Sequence, residues 1–127
     1  MSFLLLLPDV SKNRNWRASS EEYARELAQK DAEKFGGKVY KKPASSTISM
    51  LGTIPRQAYY TAWPQENYKA GDIVVHEDPK SKVGLSVHEV KDVKPGKVLT
   101  QGTNNARPDG WSSLLEIRGR VPRFYSW

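Results

Sequence analysis

The fold is decided by the segment Ser86–Thr100, which has the sequence SVHEVKDVKPGKVLT. β-Branched residues are frequent on both sides of its Lys94-Pro95-Gly96-Lys97 stretch, and such residues favour strands. Pro-Gly between two such runs is typical of a tight turn. The segment therefore predicts a hairpin, with a first strand over Gly84–Val93 and a second over Lys97–Thr100.

Most of the chain after Pro43 continues this alternation of strands and turns. Clusters of Pro, Gly and Asn separate runs that are rich in β-branched and aromatic residues. Outside the hairpin, the predicted strands are Phe3–Leu7, Lys38–Lys42, Thr47–Leu51, Gln57–Ala62, Asp72–His76 and Leu114–Val121. Ser11–Arg17 between the first of them and the helix reads as a polar turn.

One amphipathic helix is predicted in the N-terminal part. Ser19 and Glu22 have the spacing of a capping box, in which a hydroxyl and a carboxylate bind the first backbone amides of a helix. Apolar residues up to Phe35 line one broad face, and Gly36-Gly37 favours the end of the helix. The fold class expected is mainly β, of the α+β type, with this helix preceding a β-sheet domain.

The composition fits a single domain, 1–127, that buries one core. Of its 127 residues, 38% are hydrophobic, which is enough for a domain of this size. Within it, 1–44 is the strand–helix–strand part and 45–127 is the β region.

Charge and cysteine content narrow the function classes. Twenty Lys and Arg against fourteen Asp and Glu give a net charge of +6, but the basic residues are scattered, which favours a solvated surface over a nucleic-acid groove. The absence of cysteine excludes disulfides and thiolate chemistry. The apolar run Phe3–Leu7 is too short for a signal peptide or a transmembrane segment. We therefore expect a soluble protein, in the cytoplasm or within a viral assembly.

Five short motifs follow one another in a fixed order. They are Thr47-Ile48-Ser49-Met50, Gly71-Asp72-Ile73-Val74-Val75, His88-Glu89-Val90, Thr100-Gln101-Gly102-Thr103-Asn104-Asn105 with Asp109 beyond it, and Ile117-Arg118-Gly119-Arg120-Val121. In this order the segment from Ser49 to the end resembles the signal peptidase family of serine peptidases, in the form that uses histidine as base.

The resemblance implies a role for each of four residues. Ser49 would be the nucleophile, His88 the general base, and Asp109 the carboxylate that orients the imidazole. The Thr47 hydroxyl and the Ser49 backbone amide would bind the oxyanion. The implied function is that of a soluble serine endopeptidase with a peptide or protein substrate and no cofactor.

Three departures from the family pattern keep alternatives open. The acid expected after Lys-Gly is Thr103 here, the stretch between Met50 and Gly71 is longer than usual, and the membrane segment of cellular signal peptidases is missing. The substrate is therefore not expected to be a membrane-inserted preprotein. Lys82 or Lys91 is the alternative base. His76, the other histidine, is expected at an exposed strand end.

The remaining expectations concern metals and partners. The histidines and acids lack the i, i+4 spacing of a helical metal motif, so no metal site is predicted. The alternative to a peptidase is a non-enzymatic structural or assembly protein, for instance of a viral particle. Phe124-Tyr125 and Trp127 form an aromatic C-terminus that follows the basic segment Arg118–Arg123, which suggests a docking tail for a partner or a second copy of the chain.

Overall fold

The computed structural model describes residues 14–42, 54–81, 83–102 and 106–127. These residues form one α-helix and nine strands in two sheets, so the predicted mainly-β α+β fold is confirmed. The predicted strands Phe3–Leu7 and Thr47–Leu51 lie outside the described residues. The elements are β1 (Asn15–Arg17), α1 (Glu21–Phe35), β2 (Lys38–Lys42), β3 (Ala58–Ala62), β4 (Ile73–Glu77), β5 (Leu85–Lys94), β6 (Lys97–Gln101), β7 (Gly110–Ser113), β8 (Ile117–Arg120) and β9 (Phe124–Ser126).

The four-stranded sheet has the order β1-β9-β3-β2. β9 lies in its interior, parallel to β1 and antiparallel to β3. Phe124 is fully buried and Tyr125 is 3% exposed, so these two aromatic side chains belong to the core. Phe124 and Tyr125 are therefore not available to a docking tail, because their strand pairs on both edges; the binding of a partner at this end of the chain stays a prediction.

The helix α1 covers the outer face of this sheet. Its N-cap is Ser20, whose hydroxyl accepts a hydrogen bond from the Tyr23 amide at 3.1 Å. The prediction of Ser19 was therefore one residue early, since Ser20 is the last residue with extended backbone angles. Ala28 packs on the sheet, and its carbonyl accepts a hydrogen bond from the buried Thr61 hydroxyl at 2.6 Å.

The five-stranded sheet has the order β7-β6-β5-β4-β8. The hairpin between β5 and β6 forms as predicted, with Lys94 opposite Lys97 and Gly96 at a positive φ of 74°. The strand predicted over Leu114–Val121 is instead a 3₁₀ turn, Leu114–Glu116, followed by β8. Ser113 and Glu116 form a capping box that starts this turn and so delays the strand.

Hydrophobic side chains fill the space between the two sheets. Ala58, Tyr60 and Phe124 from the four-stranded sheet meet Val75 and Val87 from the five-stranded sheet. The sheets also join at one edge, where the backbones of Trp63 and Arg120 exchange two hydrogen bonds of 2.8 and 2.9 Å.

The opposite face of the five-stranded sheet carries a second apolar cluster, which includes Val74, Val90 and Val98. Successive side chains of a strand alternate between faces. His76 on β4 and His88 on β5 therefore share this second face with Val74 and Val90, and the paired strands place the two rings next to each other.

The part of the chain that the structure describes contains no helix with the length and apolar character needed to cross a bilayer.

Candidate active site

Two histidines meet on adjacent strands of the five-stranded sheet. In the β4–β5 pairing, Val74 lies opposite His88 and His76 lies opposite Ser86, so the two histidines are diagonal neighbours on one face. His76 Nε2 is 3.1 Å from His88 Nδ1. Both residues are buried, at 3% and 4% exposure respectively. The expectation that His76 lies at an exposed strand end is therefore wrong, because the sheet continues on both sides of β4.

Asp109 joins the pair from the segment that precedes β7. Its backbone amide donates a hydrogen bond of 2.7 Å to the Thr100 carbonyl, which holds the segment against the end of β6. Its carboxylate oxygen Oδ2 is 2.5 Å from His88 Nδ1 and 3.8 Å from His76 Nε2. The same oxygen accepts a 2.7 Å hydrogen bond from the Thr100 hydroxyl, so two donors fix its position.

The hydrogen-bond partners assign a tautomer to each ring. His76 Nδ1 lies 3.0 Å from the Glu77 carbonyl oxygen, and a carbonyl can only accept. His76 Nδ1 therefore carries the proton, and its Nε2 presents a lone pair to His88. Since Asp109 Oδ2 is a second acceptor at the same place, His88 Nδ1 is the donor. In the neutral His88 ring, Nε2 then carries no proton and is the basic nitrogen.

The charges of the cluster agree with this assignment. Burial lowers the pKa of His76, and the neighbouring His88 lowers it further, which keeps His76 neutral. Burial alone would raise the pKa of Asp109, but the hydrogen bonds from His88 and Thr100 and the nearby imidazoles bring it below its usual value. Asp109 is therefore an anion at neutral pH, and its side chain is 23% exposed.

A second carboxylate lies at the end of the same face. Asp78 Oδ2 accepts a hydrogen bond of 2.7 Å from the Ser86 hydroxyl, and its Oδ1 accepts one from the Lys80 amide. Burial acts to raise the pKa of Asp78, but these hydrogen bonds lower it overall. Ser86 thus gives its proton to a carboxylate rather than to a histidine.

The structure brings together two of the predicted site residues, His88 and Asp109. Ser49, Thr47, Thr103 and the alternative base Lys82 lie outside the described residues. The other alternative base, Lys91, is on the surface and pairs with Glu89 at 3.5 Å.

His76 is the site residue whose place differs from the exposed strand end that the sequence predicts. The sequence contains one signal for the contact of His76 with His88, because the predicted strands Asp72–His76 and Gly84–Val93 are joined by a short turn. The Asp78 amide donates to the Gly84 carbonyl at 2.8 Å, which closes the turn and sets the register. With Asp78 opposite Gly84, His76 must lie opposite Ser86 and therefore diagonal to His88.

Two surface grooves lie on other parts of the described chain. One, of about 450 Å³, lies between α1 and the β1–β9 edge and is lined by Trp16, Tyr23, Lys30 and Arg123 among others. The second, of about 400 Å³, includes Tyr68, Asp72 and Arg120. The histidine cluster contributes to neither groove.

Comparison of the chain with protein-family models, with curated proteins and with solved structures finds no match.

Proposed function

We propose that the protein is a serine endopeptidase of the signal-peptidase type, in which His88 is the general base and Asp109 orients it. The observation that carries the proposal is the hydrogen bond between His88 Nδ1 and Asp109 Oδ2. It is the second half of a Ser-His-Asp arrangement, in which a carboxylate selects the tautomer of the base.

Three features of the cluster support a role in proton transfer. The Nδ1–H tautomer leaves His88 Nε2 as the acceptor that a serine hydroxyl requires. The carboxylate of Asp109 stabilises the imidazolium that forms when that proton arrives. Thr100 holds the carboxylate from the other side, so the base does not have to reorganise during the reaction.

The order of motifs supports Ser49 as the nucleophile. In the proposed reaction, Ser49 Oγ attacks the scissile carbonyl carbon while its proton passes to His88 Nε2. The C–N bond then breaks, and the proton goes from His88 to the leaving amine. Water repeats the sequence on the acyl-enzyme and releases the acid product. The Thr47 hydroxyl and the Ser49 amide would bind the oxyanion.

Covalent labelling tests this proposal directly. We expect a fluorophosphonate probe to add once per wild-type chain, with intact and peptide mass spectra placing the adduct on Ser49. The variant Ser49→Ala should not label, whereas Ser46→Ala, a matched change three residues away, should label at the wild-type rate.

The base is tested in the same assay. His88→Gln should slow labelling by roughly 100-fold or more, the usual contribution of a general base. Asp109→Asn should slow it through the orientation of the ring, and the pH dependence of the labelling rate should change with it.

The same data distinguish the peptidase from the rival function, a non-enzymatic assembly protein. A folded wild-type chain that never labels would refute the peptidase and favour the non-enzymatic assembly role. In that case light scattering should show a stable multimer. Labelling that persists in both Ser49→Ala and His88→Gln would refute the assigned residues.

A further inference from the structure

The atoms that orient His88 are also a set of metal ligands. His76 Nε2, His88 Nδ1 and Asp109 Oδ2 lie within 4.8 Å of one another. The distance is 3.1 Å from His76 Nε2 to His88 Nδ1, 2.5 Å from His88 Nδ1 to Asp109 Oδ2, and 3.8 Å from His76 Nε2 to Asp109 Oδ2. These values lie on both sides of about 3.3 Å, the distance between two ligand atoms in a tetrahedral Zn²⁺ site. Two imidazoles and a carboxylate are a common ligand set for this ion.

The surroundings of the cluster resemble the support of a metal site. A metal-binding histidine usually donates its second N–H to a carbonyl or carboxylate, which aims the other nitrogen at the metal. His76 has this arrangement, since Nδ1–H donates to the Glu77 carbonyl at 3.0 Å. Asp109 has the matching support from the Thr100 hydroxyl.

We propose that Zn²⁺, or a divalent ion of similar ligand preference, binds between His76, His88 and Asp109 and switches off His88 as a base. The ion takes the place of the proton on His88 Nδ1. His88 Nε2 takes up a proton as the Nδ1 proton leaves, so the number of protons on the ring is unchanged. With Nε2 protonated, His88 cannot accept the proton of a nucleophile.

The switch rests on the proposed function, whereas the metal site itself does not. The i, i+4 spacing of a helical metal motif does not reveal this site. Here the ligands come from two neighbouring strands and a loop, and the strand register sets their spacing. The three protein ligands leave a fourth position for water.

The test is titration of the full, untagged chain with ZnCl₂ in calorimetry, and with Co²⁺ followed by its visible absorption. We expect one ion per chain and an absorption spectrum of tetrahedral or five-coordinate Co²⁺. His76→Gln and Asp109→Asn each remove a proposed ligand, so each should weaken binding by at least the roughly 10–100-fold that the loss of an outer-shell partner causes. Glu77→Gln is the matched control, because the Glu77 carboxylate pairs with Arg118 at 3.1 Å and lies outside the ligand set; it should bind as wild type.

Nitrogen NMR of the histidine rings gives a readout that is independent of activity and of variants that fail to fold. In chelator, His88 should show its proton on Nδ1. With one equivalent of Zn²⁺, the proton should appear on Nε2, while His76 keeps its Nδ1 proton. An unchanged tautomer of His88 would overturn the switch.

The outcomes separate the two proposals. No saturable binding to the wild type, or equal binding by the wild type and His76→Gln, would overturn the metal site. Probe labelling that falls with Zn²⁺ and returns with chelator supports both proposals. Labelling that is insensitive to bound Zn²⁺ would overturn the switch. A chain that binds Zn²⁺ with the tautomer change but never labels would support the metal site and refute the peptidase.

Discussion

Thr100 offers the sharpest test of how the site is held together. Its side chain is fully buried and its hydroxyl donates to Asp109 Oδ2 at 2.7 Å. Thr100→Val keeps the shape and removes this donor. A hydrogen bond to a charged acceptor contributes about 1.5–3 kcal/mol. Because Asp109 keeps His88 as a second donor and is partly exposed, we expect the low end, a loss of about 1.5 kcal/mol in the free energy of unfolding at neutral pH.

The pH dependence of this loss identifies its cause. The folded-state pKa of Asp109 lies below its usual value, so the interactions of its carboxylate stabilise the fold above the unfolded pKa of about 3.9. That stability disappears as the pH falls through the folded pKa. Thr100→Val raises the pKa of Asp109 toward its usual value. The difference in the free energy of unfolding between Thr100→Val and the wild type should therefore become smaller at acidic pH.

Thr61→Val is the matched control. Thr61 is also buried, but its hydroxyl donates to the backbone carbonyl of Ala28 at 2.6 Å. The acceptor is neutral, so the substitution should cost about 1 kcal/mol at every pH.

Urea unfolding followed by tryptophan fluorescence, in chelator and over a series of pH values, measures both variants. Parallel pH profiles for Thr100→Val and Thr61→Val would refute the reasoning. So would a cost of Thr100→Val that grows in acid.

Two further predictions concern stability away from the site. Gly37→Ala should destabilise the fold by about 3 kcal/mol or more, because a Cβ there would lie 2.1 Å from the Ala62 carbonyl oxygen. Gly36→Ala should cost less, roughly 1–3 kcal/mol of backbone strain alone, since Gly36 has φ 82° and ψ 175° but open space around it; equal melting temperatures of the two variants would contradict this. Burial raises the pKa of Asp31, so its proton binds the folded state more tightly, and this group stabilises the fold less as the pH rises through its folded pKa. D31N should remove that decline, which urea titrations at acidic and neutral pH would detect as a flatter profile; an unchanged slope would count against it.

The elements that sequence predicted well are those with a complete local signal. Lys38–Lys42 is a strand with the predicted bounds. The hairpin of β5 and β6 also forms as predicted, because the Pro95-Gly96 turn between them specifies the backbone locally. The helix was predicted within one residue of its N-cap.

The elements that sequence missed depend on contacts between distant parts of the chain. β9 has three residues and no pattern of its own, and it exists because β1 and β3 offer it edges on both sides. β1 lies in a segment whose sequence predicts a polar turn, since only its pairing with β9 makes it a strand. Short strands of this kind carry little information in their own residues.

The candidate site likewise contains one contact that was expected and one that depends on the pairing of strands. The proximity of Asp109 to His88 was expected from the resemblance, but the Pro108-Asp109-Gly110 sequence alone describes only a turn. The contact of His76 with His88 follows from the register of two strands, which residue spacing along the chain does not show. Predicted strands are useful for site prediction only after a turn has fixed which residues face each other.

The proton on His88 Nδ1 matters both for the stability of the fold and for the proposed reaction, because the cluster has few other hydrogen-bond donors. Thr100 supplies one proton and His88 Nδ1 supplies another, while His76 Nε2 and Asp109 Oδ2 supply only lone pairs. If the His88 ring is deleted, the buried His76 Nε2 loses its donor, while the partly exposed Asp109 Oδ2, 3.8 Å away, keeps the proton of Thr100; the cost expected is that of one unsatisfied buried acceptor. His88→Ala should therefore lose stability as well as labelling, whereas His88→Gln keeps an N–H donor that can reach the same region. We expect a larger loss of stability in His88→Ala than in His88→Gln, measured by urea unfolding, because alanine removes both the ring volume and the proton donor. Equal stabilities of the two variants would refute a contribution of His88 to the fold through this donor.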